Sequence, residues 1–197
     1  MTNSTNVPRD FITVVSGVPR SGTSMMLQML AAGGLPILTD GIRGADEDNP
    51  RGYLEWEGVK SLKRDAAWVA TAVGKGVKVI YHWLYDLPYG FHYRVIFMRR
   101  NLDEVLASQA AMLRQRGVTD QAPDDETMKR LFQDELLEID EWLAHQTSFS
   151  LINIEYSAVL ASPLEHAEEV NAFLGRTLDS HAMAAMVAPV LYRRRHN

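Results

Sequence analysis

Phe11-Ile-Thr-Val-Val-Ser16, followed by Gly17-Val-Pro-Arg-Ser-Gly22, is the most informative stretch of the sequence. The first six residues are rich in β-branched side chains and do not alternate with polar ones, as in a strand covered on both faces. From Thr23 the apolar residues take a helical spacing, which Gly33-Gly34 ends. Strand, glycine loop and helix in this order predict a phosphate-binding loop, in which main-chain N–H groups converge on an anion.

Strands and helices alternate through the rest of the chain. Buried strands are predicted at 77–82, 93–98 and 149–154, and helices at 56–73, 101–116, 128–143 and from 162 onwards. Two helix starts carry capping signals: Asn101 with Glu104 three residues on, and Ser162 followed by Pro163. This alternation predicts an α/β fold with a central parallel sheet flanked by helices.

One domain is expected to span residues 1–197. Residues 35–55 are rich in Gly, Pro and Asp and keep no period, so we expect a long loop that is a candidate lid of the acceptor site.

Composition limits the function classes. The chain has 197 residues, of which 46% are hydrophobic, and no cysteine, which excludes disulfides, thiolate nucleophiles and Cys-ligated metals. Its net charge of −5 argues against broad nucleic-acid binding. The N-terminus lacks a signal-peptide pattern, and no apolar run reaches the length of about 18 residues needed to span a membrane, so we expect a cytoplasmic protein.

The glycine loop lacks the lysine of a triphosphatase loop. Such a loop continues Gly-Lys-Ser/Thr, whereas this chain continues Gly22-Thr23-Ser24 and carries a cation inside the loop at Arg20. A guanidinium forks onto phosphate or sulfate oxygens, so the loop suits a shorter anionic group better than Mg·ATP. The glycines alone fit a simple strand-to-helix turn equally well, but the segment from Pro19 to Ser24 favours anion binding.

With this segment the chain resembles the sulfotransferases that use 3′-phosphoadenosine-5′-phosphosulfate (PAPS), whose 5′-phosphosulfate loop reads Pro-Lys/Arg-Ser-Gly-Thr-Ser/Thr. The resemblance implies a P-loop-like sulfotransferase architecture and no metal. It assigns the 5′-phosphosulfate to Arg20, Ser21, Gly22, Thr23 and Ser24.

Two further segments extend the resemblance. The family holds the 3′-phosphate with an Arg at a strand end and a Ser eight residues later, which matches Arg100 and Ser108. The family's Tyr-Glu-Asp-Leu segment, whose Tyr contacts the adenine side, resembles the chain at Tyr156, although Ser157 and Ala158 replace its acidic residues.

The family's closing Arg-Lys-Gly loop is not evident near the C-terminus. Arg193 and Arg195 either replace it at the 3′-phosphate or belong to a solubilising basic tail.

Two residues are candidates for the catalytic base. His82 ends the predicted strand 77–82 and is similar to the histidine of the family's Lys-Thr-His segment. Glu55 ends Asn49-Pro-Arg-Gly-Tyr-Leu-Glu55, which is similar to a segment of bacterial members and lies where the glycan-modifying branch has a catalytic glutamate. Arg20 completes the predicted catalytic set, since it would stabilise the leaving phosphate.

The resemblance implies sulfuryl transfer from PAPS to a hydroxyl or amine of a small-molecule or glycan acceptor, with release of 3′-phosphoadenosine-5′-phosphate (PAP). A P-loop nucleotide kinase or triphosphatase and a non-catalytic PAP-binding module are the competing hypotheses.

Overall fold

A computed structural model describes residues 10–44, 52–115, 117 and 124–187. Its centre is a parallel sheet with the strand order β2-β1-β3-β4. The strands are β1 Phe11–Gly17, β2 Gly76–Lys78, β3 His92–Arg99 and β4 Phe149–Glu155. Every residue of β1 is buried, as its continuous apolar sequence predicts for a strand in the middle of a covered sheet.

Helices cover both faces of the sheet. They are α1 Thr23–Ala32, α2 Leu102–Gln115, α3 Asp125–Ala144, α4 Tyr156–Ala161, α5 Pro163–Phe173 and α6 Ser180–Ala185. On one face Val15 packs with buried side chains of α1 and α4 to α6, and on the other Val14 packs with α2 and α3. The predicted α/β fold with a central parallel sheet is confirmed. No helix in the described part of the chain is long and apolar enough to cross a membrane.

Both predicted capping signals lie at helix starts. The Asn101 side chain accepts from the amides of Asp103 and Glu104, at 2.8 and 3.4 Å, and so caps α2 as predicted. The helix α5 begins at Pro163, but the Ser162 side chain makes no capping hydrogen bond.

The predicted helix 56–73 is wrong. The segment forms two 3₁₀ turns instead, Glu57–Ser61 and Ala67–Ala72. The Trp68 indole N–H donates to the Gly58 carbonyl at 3.1 Å, and the Asp65 carboxylate accepts from the Ala67 amide at 3.0 Å. Local side-chain bonds of this kind compete with helical ones, so a continuous helix does not form.

The predicted strand 77–82 is too long. It pairs with β1 only as far as Lys78, and the Val79 amide donates to the Val15 carbonyl at 3.0 Å just beyond. Because β1 turns into the glycine loop after Gly17, the edge strand loses its partner, and Tyr81–Asp86 coils into a 3₁₀ helix. An apolar run alone does not distinguish a continued strand from a 3₁₀ helix.

The strand order sets the position of the site. The chain crosses from β2 past β1 to β3, so the connections after β1 and β3 leave the sheet in opposite directions at its carboxyl edge. Open α/β sheets bind ligands in the crevice at such a switch point. The glycine loop and Arg100 both lie at this edge.

Candidate active site

The glycine loop is shaped by close contacts as well as by backbone freedom. Gly17 and Gly22 have φ values of 142° and 101°, in the region that favours glycine. A Cβ on Gly17 would lie 2.6 Å from the Met98 carbonyl oxygen, and one on Gly22 would lie 2.5 Å from Cδ2 of Tyr156. Both glycines therefore let the loop pack against β3 and α4, which a simple turn would not require.

Arg20, Arg100 and Ser108 meet beside this loop. Arg20 Nε donates to Ser108 Oγ at 3.0 Å, across 88 residues of sequence. Arg100 Nη1 donates to the Arg20 carbonyl at 3.0 Å, and its guanidinium lies 4.4 Å from the centre of the Tyr156 ring. Arg20 has a φ of 72°, which is unusual for a residue with a side chain. The fold thus brings together the residues assigned from the second and third segments.

Ser21 behaves differently from its neighbours. Its side chain is fully buried and does not line the cleft, and its main-chain N–H donates to the Val18 carbonyl at 3.2 Å. Gly22, Thr23 and Ser24 do line the cleft. The first amides of α1 have no intrahelical acceptor, so Thr23 and Ser24 are better placed than Ser21 to bind an anion.

Glu55 lies between two cations. Its Oε1 accepts from Lys78 Nζ at 2.8 Å and from Arg43 Nη1 at 3.1 Å. The Arg43 guanidinium stacks on the Tyr53 ring, 3.5 Å from its centre. Burial alone would raise the pKa of Glu55, but Lys78 and Arg43 outweigh it and lower this pKa below its ordinary value. Glu55 is therefore ionised at neutral pH.

Lys78 links Glu55 to the glycine loop. It is only 8% exposed, and its Nζ also donates to Ser24 Oγ at 3.1 Å. Burial, together with the positive charges of Arg43 and Arg20, lowers the pKa of Lys78 below its ordinary value, although Glu55 raises it. Sequence reasoning missed Lys78 and Arg43. The available signal for Lys78 was a single lysine inside the apolar strand Val77-Lys78-Val79.

These residues surround a cleft of about 440 Å³, within the usual range for small-molecule sites. Among the described residues that line it are five cations and two carboxylates, although the whole chain carries a net charge of −5. The charged lining consists of Arg20, Arg43, Lys60, Lys78, Arg100, Glu55 and Glu57. The cleft is thus a cationic site in an acidic protein, suited to a small polyanion.

Solved structures share this architecture. A sulfotransferase domain from the curacin biosynthetic pathway is 14% identical, with a TM-score of 0.50, covering 83% of this chain and 73% of its own. A retinol dehydratase in complex with androsterone and inactive cofactor PAP is 12% identical, with a TM-score of 0.50, covering 98% of this chain and 68% of its own. At these identities the likeness shows the fold alone, a central parallel sheet flanked by helices.

A third solved structure is less similar in fold. An unliganded sugar kinase from Janibacter sp. HTCC2649 is 15% identical, with a TM-score of 0.44, covering 89% of this chain and 97% of its own. No protein-family model and no curated protein sequence matches the chain. The likeness is therefore one of fold, and the chemistry of this chain has to be argued from its own cleft.

His82 does not line the cleft. It lies on the 3₁₀ helix Tyr81–Asp86, where it is exposed and its ring centre lies 4.4 Å from the Trp83 ring. The neighbouring aromatic rings displace part of the water around the imidazole, and this loss of hydration lowers the pKa of His82. In the Lys-Thr-His segment the histidine stands two positions after the lysine. In this chain the residue two positions after Lys78 is Ile80, which lines the cleft. The strand that was expected to carry His82 to the sheet edge ends before it.

Two assigned ligands cannot be placed. Arg193 and Arg195 lie outside the described residues, as do 45–51 of the predicted loop 35–55. In the described part of that loop, the Leu38 amide bonds to the Gly76 carbonyl at 2.8 Å, and the Gln28 side chain donates to the Gly52 carbonyl at 2.9 Å. The loop is thereby attached to β2 and α1 beside the cleft. Among the described residues, no group of three or more His, Asp and Glu could hold a metal ion.

Proposed function

We propose that the chain is a sulfotransferase that moves a sulfuryl group from PAPS to an acceptor hydroxyl and releases PAP. The observation that carries this proposal is the meeting of Arg20, Arg100 and Ser108 at the carboxyl ends of β1 and β3, beside a glycine loop without the triphosphatase lysine. The fold shared with a sulfotransferase domain and with a PAP-bound protein supports it.

The donor would lie along the glycine loop. Arg20 and the amides of Thr23 and Ser24 would bind the 5′-phosphosulfate, because a helix N-terminus and a guanidinium both favour oxyanions. Arg100 and Ser108 would bind the 3′-phosphate. Tyr156, which packs beneath Arg100, would hold that guanidinium in place and border the adenine.

Transfer would proceed by in-line displacement at sulfur. The acceptor oxygen forms a bond to sulfur while the bond from sulfur to the 5′-phosphate oxygen breaks, and that oxygen leaves with the electron pair on PAP. Arg20 offsets the charge that develops there. Lys78, held between Ser24 and Glu55, would face the sulfuryl oxygens and stabilise their charge.

Glu55 is the base in this proposal. It lines the cleft and is ionised, so its carboxylate can take the acceptor proton as the new bond forms. His82 is not among the residues that line the cleft, and we assign it no role in transfer.

Release of PAP from PAPS tests the proposal. The protein, incubated with PAPS in EDTA, should release PAP slowly by hydrolysis, since water can replace the acceptor and no metal takes part. Addition of Mg·ATP in place of PAPS should give no ADP above background. Magnesium-dependent ATP hydrolysis without PAPS turnover would favour the kinase or triphosphatase hypothesis, and PAP binding without any turnover would favour a non-catalytic module.

A further inference from the structure

Two polar side-chain atoms in the cleft wall are buried and have no hydrogen-bond partner among the described residues. The described residues contain five such atoms, and three of them, on Thr13, Ser16 and Ser21, lie outside the cleft lining. The other two are Nε1 of Trp56 and Oε1 of Gln109, and both residues line the cleft. Buried polar groups are nearly always paired, so an unpaired one needs an explanation. The place of these two atoms points to a ligand of the cleft as the missing partner.

The two unpaired atoms are of opposite kind. An indole N–H can only donate a hydrogen bond, and the carbonyl oxygen of a glutamine can only accept one. They do not bond to each other, and they belong to separate segments: Trp56 precedes the 3₁₀ turn Glu57–Ser61, and Gln109 follows Ser108 on α2. A ligand that pairs both atoms must therefore accept from Trp56 and donate to Gln109.

The charged side chains next to Trp56 are already paired. Glu57 pairs with Lys60 at 2.6 Å, and Glu55 pairs with Lys78 at 2.8 Å. A charged ligand group would have to compete with these ion pairs, whereas a neutral group that donates and accepts disturbs neither of them. Since the two unpaired atoms are themselves neutral, we expect a neutral ligand group between them.

The resting position of Trp56 explains why its N–H is unpaired. A Cβ on Gly58 would lie 2.3 Å from Trp56 Nε1, so the N–H edge of the indole lies against a residue without a side chain. The Gly58 carbonyl already accepts from the Trp68 indole N–H at 3.1 Å. A turn of the indole off Gly58, and of the Gln109 amide about its last side-chain bond, brings both atoms to the cleft that their residues line.

We infer that the acceptor carries a secondary amide beside its hydroxyl, and that Trp56 and Gln109 recognise this amide. The inference rests on the proposed sulfuryl transfer. A secondary amide holds one acceptor and one donor on opposite edges of a plane, which suits partners on separate segments. Its carbonyl accepts from Trp56 Nε1, and its N–H donates to Gln109 Oε1.

The amide takes no part in the chemical step. The hydroxyl oxygen of the same molecule bonds to sulfur, its proton passes to the Glu55 carboxylate, and the bond from sulfur to the 5′-phosphate oxygen breaks as PAP leaves with the electron pair. The product is a sulfate ester that keeps its amide. Trp56 and Gln109 thus determine specificity, while Glu55 takes the proton.

Three matched alcohols test which group is recognised. N-(2-hydroxyethyl)butanamide carries the whole amide, 2-hydroxyethyl butanoate lacks only its N–H, and 1,4-heptanediol has a second hydroxyl in place of the carbonyl. With PAPS as donor, the amide should be sulfated with a kcat/KM about ten times that of either other alcohol, because each of them leaves a buried group unpaired. Equal values for amide and ester would refute recognition of the N–H, and a higher value for the diol would overturn the amide in favour of a second hydroxyl.

Variants assign the two hydrogen bonds. Gln109→Leu should lower kcat/KM for the amide about tenfold and leave that for the ester within about twofold, because only the amide has an N–H to donate. Trp56→Phe should lower both values about fivefold, since both molecules keep the carbonyl. Gln115→Leu, at the exposed end of α2, and Trp142→Phe, outside the cleft lining, are the controls and should change neither value. An unchanged preference for the amide in Gln109→Leu would refute the assignment.

Titration of the PAP-loaded protein gives a readout that needs no turnover. The amide should bind the wild-type protein about ten times more tightly than the ester, and PAP should bind Gln109→Leu within about twofold of the wild type. Equal binding of amide and ester, or no binding of the amide, would refute the amide site. Failure of the wild-type protein to bind PAP would refute the proposed function instead, so the two failures are distinguishable.

Discussion

The two sides of the cleft are built in different ways. The donor side, formed by the glycine loop, Arg100 and Ser108, lies at the ends of two central strands and is fixed by glycine contacts and main-chain hydrogen bonds. The acceptor side, formed by Arg43 and residues 53–60, lies on segments without α-helix or strand. Strand positions leave little room for variation, whereas such connecting segments tolerate change. The donor side is thus set by the topology, and the acceptor side by side-chain chemistry.

Electrostatics differ in the same way. On the donor side, Arg20 and Arg100, which follow separate strands, line the cleft beside a helix N-terminus, so an anion completes the site. On the acceptor side, Glu55 already pairs with Lys78 and Arg43, so the charges there are largely balanced before any ligand binds. In the proposed reaction, the donor side therefore provides affinity for a polyanion, and the acceptor side positions a base.

The largest effect is expected from the acceptor side. Glu55→Gln should lower turnover of PAPS with an acceptor by about 10²-fold or more, because an amide keeps the shape but cannot accept the proton. PAP affinity should stay within a few-fold, and His82→Ala should retain most activity. Steady-state kinetics and PAP titration of both variants measure this. Full activity in Glu55→Gln together with loss of activity in His82→Ala would show that His82, and not Glu55, is the base.

The next effect concerns the close packing of the donor side. Gly17→Ala should lower the free energy of unfolding by about 2–4 kcal/mol, since it adds a clash with β3 to the strain of a positive φ. Gly34→Ala is the matched control: Gly34 has a φ of 93° but open space around it, so only strain of about 1 kcal/mol is expected. Urea denaturation of both variants gives the difference. Equal losses would show that contact with β3 does not shape the loop.

Arg100 tests which phosphate the donor side recognises. Arg100→Ala should weaken PAP about 10- to 100-fold, as expected for loss of a charge-assisted hydrogen bond, and adenosine-5′-phosphosulfate much less, because that ligand lacks the 3′-phosphate. Arg114→Ala, at an exposed arginine of α2 away from the cleft, is the control. Calorimetric titration of both ligands decides the outcome. Ser108→Ala should show the same selectivity to a smaller extent. Equal losses of affinity for both ligands in Arg100→Ala would show that Arg100 does not bind the 3′-phosphate.

The smallest effect is a shift with pH. In the folded protein the pKa of Glu55 lies below its ordinary value, so the stabilising ion pair is present above that ordinary value and is lost as the pH falls through the lowered one. Lys78→Met removes the nearer cation, so the pKa of Glu55 should rise. The acid limb of the pH profile of kcat/KM should then move up by about one pH unit. Lys63→Met, at an exposed lysine outside the cleft, should leave the profile unchanged. An unshifted limb in Lys78→Met would show that Lys78 does not control the charge of Glu55.

The sequence located the residues that meet at the glycine loop better than those around Glu55, and the reason is physical. The glycine loop lies in one short segment, and Arg100 and Ser108 follow a strand whose apolar pattern is clear, so local spacing was sufficient. Lys78 is a single charge in a short edge strand, and its contact with Ser24 depends on the strand order, which no local pattern contains. Residues 56–73 have apolar spacing that fits a helix, and the hydrogen bonds from Trp68 to Gly58 and from Ala67 to Asp65 in the folded chain oppose it.

Thermal unfolding with PAP and with Mg·ATP tests the central claim most directly, because only PAP carries the 3′-phosphate that we assign to Arg100 and Ser108. A ligand that binds the native state alone stabilises it by about 2.7 kcal/mol at a hundred times its Kd. For a chain of this length that corresponds to a rise in Tm of about 5–10 °C. The account predicts such a rise with PAP in EDTA and a much smaller one with Mg·ATP at equal concentration. An equal or larger rise with Mg·ATP would contradict it.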